Sequence, residues 1–128
     1  VNAGTDEPSP VLTVDTVRTD QAVVVVVAGE VDADTAGPVY IELSAGLGSA
    51  PPALVVDLSE VTFFGSAGIA LLVEAKQHTE DTGTGLALVA VNRAVLRSLE
   101  VAGVASFFDV YPTRSEALSG AQRDGRQA

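Results

Sequence analysis

Five consecutive valines, Val23 to Val27, leave this chain few options. β-Branched side chains lose rotamer freedom in a helix, and an unbroken apolar run has no polar face to turn towards water. The run therefore predicts a central strand buried on both sides, which requires a sheet covered by helices on each face. On the N-terminal side, Val11-Leu12-Thr13-Val14-Asp15-Thr16-Val17 alternates with period two, as a half-exposed strand does. The turn Arg18-Thr19-Asp20-Gln21 would join the two as a hairpin.

Downstream, strands and helices alternate. A first helix is expected near Asp34 or Thr35, either side chain serving as cap, with Pro38 in its first turn and Gly46, Gly48, Pro51 and Pro52 ending it. Leu54 to Leu58 reads as a third strand. A short loop of small and hydroxyl residues follows, with Ser66 as the cap of a second helix running to about Thr79. Leu86 to Val91 reads as a fourth strand. Asn92 would cap a third helix burying Val95, Leu96 and Leu99, and Gly103 would end it. Phe107 to Tyr111 reads as a last short strand, and Thr113 with Glu116 has capping-box spacing for a final helix. This rhythm predicts an α/β sandwich: a mixed sheet of about five strands, its later strands mostly parallel, with about four helices. The single domain is expected over residues 11–121, between flexible tails at 1–10 and 122–128 that lack apolar periodicity.

The 128 residues include no cysteine, which excludes disulfides, thiolate catalysis and cysteine-based zinc sites. A formal net charge of −10 gives a surface field that repels nucleic acid and anionic membranes. The longest apolar run, Ala22 to Ala28, is far short of the roughly 20 residues that span a bilayer. No secretory signal is visible at the start, so the expected location is the cytoplasm.

Three clusters carry the functional candidates. Asp57 in an apolar strand suggests a phosphoryl acceptor of receiver type. That chemistry also needs further carboxylates and a lysine after the last parallel strand, and the sole lysine, Lys76, lies in the second helix. A carboxylate capping the following loop is the simpler reading. Glu30, Asp32 and Asp34 form an acidic loop suited to a protein contact; a hard cation would need more converging oxygens than this spacing guarantees. Gly65-Ser66-Ala67-Gly68 fits neither the G-x-S-x-G elbow nor the P-loop and dinucleotide spacings, and His78, the only histidine, has no nucleophile partner pattern. What the segment does offer is a serine beside the free amides of a helix start, a place suited to recognition or to phosphate.

Gly29-Glu30-Val31-Asp32-Ala33-Asp34-Thr35-Ala36, followed by Leu54 to Leu58 and Ser59-Glu60-Val61-Thr62-Phe63-Phe64-Gly65-Ser66-Ala67-Gly68-Ile69, closely resembles the STAS domain of anti-sigma factor antagonists. The Val95-Leu96-Leu99 helix, the Phe107-Phe108 strand and Ser115-Glu116-Ala117-Leu118 extend the resemblance over residues 10–120. It implies a partner-switching regulator that binds an anti-sigma factor, itself a serine kinase, and so frees a sigma factor for transcription. Phosphorylation at the start of the second helix would break the complex. ATP would belong to the kinase, so the resemblance implies no enzyme activity, cofactor or metal in this chain. The family motif is Asp-Ser-Ser/Thr-Gly with the acceptor hydroxyl next to the glycine. Aligned on Gly68, that position is Ala67, the preceding serine is Ser66, and the usual aspartate is Gly65. Ser66 is thus the candidate acceptor, displaced by one residue, with Thr62 and Ser59 behind it. The partner surface is expected over Asp32, Asp34, Thr62, Gly65, Ser66, Ala67 and Gly68. An alternative role for the same fold is a small-ligand or nucleotide sensor within a larger signalling assembly, its ligand's anionic group on the helix amides.

Overall fold

A computed structural model describes residues 11–127, with side chains described through Arg123. The proposed N-terminal tail, 1–10, lies outside the described residues. Five strands, β1 (Leu12–Arg18), β2 (Val23–Val31), β3 (Ala53–Phe64), β4 (Gly85–Val89) and β5 (Val110–Tyr111), form one sheet in the order β1-β2-β3-β4-β5. The β1–β2 hairpin is antiparallel and the remaining pairs are parallel. The helices are α1 (Ala36–Gly48), α2 (Ser66–Thr82), α3 (Arg93–Val101) and α4 (Arg114–Gln127), with one 3-10 turn at Ala105–Phe107 before β5. The last helix reaches Gln127 and so runs through residues read from sequence as a tail.

The valine run divides its side chains between two cores, as a doubly covered strand must. Val23, Val25 and Val27 pack with Leu54, Val56 and Leu88 beneath α1, α2 and α3, which contribute Leu43, Leu72 and Leu99. Val24 belongs to the opposite core with Val55 and Val89, closed by α4 through Ala117 and Ala121. Alanines dominate that contact, at Ala53 and Ala87 on the sheet and Ala22 just before β2, so α4 comes close to it.

β3 is the main departure from the sequence reading. It does not stop at Leu58 but continues to Phe64, and the expected loop is strand. Two register shifts explain this: Val26 and Ala28 face Asp57 and Glu60, and Gly29 and Glu30 face Val61 and Phe63, so β3 carries an extra residue at each step. Each bulge resets the alternation, leaving Val61 and Phe64 buried while Thr62 and Phe63 are exposed. Thr62 therefore faces solvent and not the core. Asn92 holds the irregular stretch: its Nδ2 donates to the carbonyls of Leu58 (3.1 Å) and Val61 (2.6 Å). Asn92 does precede α3, but its side chain makes no capping bond there.

On β2 the matching irregularity falls at Gly29, whose φ of 103° is left-handed and whose added Cβ would lie 2.1 Å from the Val11 carbonyl oxygen. That carbonyl accepts from the Glu30 amide at 2.8 Å, so glycine lets the two chains close up.

Candidate functional site

The start of α2 is built from the end of β3. Gly65, extended at φ −90° and ψ −169°, is the residue that precedes the helix, and Ser66 is already its first residue. Ser66 is thus not the cap the sequence suggested. Its side chain is exposed, and among the described residues its hydroxyl has no hydrogen-bond partner. The Gly65 carbonyl accepts from the amides of Gly68 (3.0 Å) and Ile69 (3.2 Å), so the amides of Ser66 and Ala67 precede the first helical bond. Ala67 is half-buried. Gly68 is buried for a steric reason: a Cβ there would lie 2.6–2.9 Å from three atoms of the Phe64 ring. Phe64, 4% exposed, packs directly against the first turn of α2.

The acidic loop meets this helix start. The Gly65 amide donates to the Val31 carbonyl at 2.9 Å, and Val31 pairs with Phe64 across the β2–β3 ladder. Within the loop, Asp32 Oδ1 accepts from the amides of Asp34 (2.9 Å) and Thr35 (3.1 Å), while the Thr35 hydroxyl accepts from the Asp32 amide (2.9 Å) and donates to the Glu30 carbonyl (2.7 Å). Asp32 therefore shapes the entry to α1, a task the sequence reading gave to Asp34 or Thr35. Asp34 is exposed. No group of three or more carboxylates or histidines that could hold a metal ion occurs among the described residues. Thr62, Gly65, Ser66 and Ala67 and the loop residues Asp32 and Asp34 thus lie about one edge of the molecule, with Gly68 in the packing beneath.

Asp57 lies elsewhere. It is in mid-strand on the face covered by α4, 8% exposed at its side chain, and every oxygen is engaged. Oδ1 accepts from the Ser59 amide (3.0 Å) and hydroxyl (2.7 Å); Oδ2 accepts from Arg114 Nη2 (2.9 Å) and Nε (3.2 Å). Burial pushes this carboxyl up, but the Ser59 hydroxyl and amide and the Arg114 guanidinium together hold it below the usual carboxylate value. A carboxylate so occupied is a structural anchor of α4 and not a phosphoryl acceptor.

Because the folded-state pKa is depressed, its stabilisation is full above the ordinary carboxylate pKa and is lost as pH falls through that value towards the lower folded one. Asp57→Asn is expected to cost about 1–3 kcal/mol at neutral pH and to flatten the acid limb of the stability curve below about pH 4. Urea unfolding across that range checks it; an unchanged acid limb would show that the Asp57 pair contributes nothing to folding.

One feature beside the candidate site escaped the sequence reading. The exposed end of β3 and the outer face of α3 enclose an open groove of about 550 Å³ beside Ser66, lined by Phe63, Ile69 and Val101 and by Arg93 and Arg97. The spacing of the two arginines, one turn apart and out of phase with buried Val95 and Leu99, was the available signal.

Comparison with known proteins agrees with this architecture. The family model described as "Mlab, STAS domain" matches residues 14–110. The chain is 31% identical over 102 residues to the anti-sigma-F factor antagonist RsfA of Mycobacterium tuberculosis, covering 78% of this chain and 80% of that one. It is 30% identical over 100 residues to RsfB of the same organism, with the same coverage. The crystal structure of an anti-sigma factor antagonist from Mycobacterium paratuberculosis superposes with a TM-score of 0.79 at 34% identity, over 87% of this chain and 94% of that one. With these matches, and with the bulged β3 leading into a serine-bearing helix start, the chain belongs to the STAS-domain family of anti-sigma factor antagonists.

Proposed function

We propose that this chain is a partner-switching regulator: it binds an anti-sigma factor of the serine-kinase type, displaces the sigma factor and so permits transcription. It acts by binding and performs no chemistry of its own, and its place of work is the cytoplasm. Among the described residues no helix is long and apolar enough to cross a membrane. The observation that carries the reading is the junction at Val31 and Gly65, whose hydrogen bond sets the acidic loop against a helix start with an unbonded serine hydroxyl. Ser66 is the proposed phosphoacceptor. A phosphate there would add bulk and up to about two negative charges to the contact surface and so break the complex, while the dipole of α2 tolerates it within the fold.

The test is titration of the chain into a panel of purified anti-sigma factors from its source organism, followed by ATP and intact-mass analysis. Binding to one of them, then a single phosphate that Ser66→Ala abolishes, is the expected result. Failure to bind any would overturn the function; binding without modification would leave an antagonist that this kinase step does not switch off.

The two loop aspartates are expected to separate in the same assay. Asp34→Ala, at an exposed carboxylate, should weaken binding with stability unchanged. Asp32→Ala removes the acceptor for two amides and should lower stability as well, by about 0.5–2 kcal/mol. Equal melting temperatures for the two variants would contradict the capping role of Asp32.

A further inference from the structure

The groove beside α2 reverses the sign of the surface around it. The chain carries a net charge of −10 with seven basic residues, and two of the seven, Arg93 and Arg97, line this one groove. Both are exposed, and neither forms an ion pair or a hydrogen bond among the described residues, whereas Lys76 pairs with Glu80 and Arg114 with Asp57. The walls between them and the helix start are apolar. Phe63 is 51% exposed and Val101 78%, and with Ile69 they line one groove, an apolar wall left open to solvent. On the floor, Ser98 Oγ donates to the Phe64 carbonyl at 2.6 Å.

Small-molecule sites are enclosed and aim unpaired polar groups at the ligand. This groove is open, and its charges are carried by long exposed side chains. Those features suit a polypeptide segment that inserts apolar side chains and pairs at its edges. Arginine, permanently charged and able to form two parallel bonds to a carboxylate, sets the sign of what it meets.

We propose that the groove seats a short segment of the anti-sigma factor carrying one or two large apolar side chains flanked by carboxylates, the apolar groups against Phe63, Ile69 and Val101 and the carboxylates on Arg93 and Arg97. This rests on the binding function proposed above and gives the partner's contact segment a charge: acidic, although this chain is itself acidic. Ser66 lines the same groove, so a negative charge placed there competes with the partner for the two arginines.

The experiment uses the anti-sigma factor that binds the native chain, titrated by calorimetry at about 50 mM and about 300 mM salt. The Arg93→Glu/Arg97→Glu double variant is expected to bind at least about 30-fold more weakly and to lose the salt dependence of the native complex. Arg93→Lys/Arg97→Lys should stay within about fivefold of native. All four substitutions are at exposed positions, so melting temperatures should stay close to native. Native-like binding by the glutamate pair overturns the groove while leaving the function intact. If no anti-sigma factor of the panel binds the native chain, both are overturned. A rise in native melting temperature with decanoate that the glutamate pair lacks overturns the peptide in favour of a small amphipathic anion.

Discussion

Phe64→Ala should destabilise the domain by about 3–5 kcal/mol, the cost of emptying a buried aromatic site whose rigid neighbours cannot close the gap. Gly68→Ala should cost about 1–2 kcal/mol, because its new methyl would sit 2.6–2.9 Å from the Phe64 ring and neither the ring nor the helix backbone can give way freely. Combined, the two should not add. With the ring gone the methyl has space, and alanine is the better helix former, so Gly68→Ala in the Phe64→Ala background should be neutral or mildly stabilising. A double-mutant cycle by urea denaturation reads the coupling, expected to be at least about 1 kcal/mol. Strict additivity would mean that glycine is present at position 68 for a reason other than the ring. This matters for function because Phe64 and Gly68 fix where Ser66 and Ala67 stand relative to the sheet.

Ser66→Glu should weaken binding to the anti-sigma factor at least tenfold, about 1.4 kcal/mol, without loss of fold. A carboxylate in the first turn of a helix interacts favourably with its dipole, so stability should hold or rise by about 0.3–1 kcal/mol. Binding and stability would then move in opposite directions, which a merely structural serine cannot produce. Ser66→Ala is the control. It removes an exposed hydroxyl with no partner among the described residues and should bind within about threefold of native. If the glutamate variant also binds like native, the start of α2 is not part of the interface.

The helix start was legible because its signals are local. A strand pattern, a run of small residues and an apolar helical period sit within a few positions of one another, and the order of motifs identified the family. The residues that qualify the site were not legible. Arg114 reaches Asp57 across 57 positions of sequence, turning an apparent strand-end carboxylate into a buried anchor for the last helix. Thr62 and Phe63 seemed to belong to a loop, since two bulges break the alternation by which strands are recognised. Asp32 looked like a contact residue, and it is also the side chain that closes the loop on itself.

Sequence alone determined the order of the five strands and four helices, the doubly covered central strand and the acidic charge of the chain, because backbone preference and hydrophobic period act over a few residues. Only the tertiary structure decided that β3 runs on to Phe64, that Ser66 stands free at a helix start tied through Gly65 and Val31 to the acidic loop, and that two unpaired arginines of α3 share its groove. Those facts depend on which distant segments the sheet and helices bring within bonding distance, and no local pattern encodes that distance.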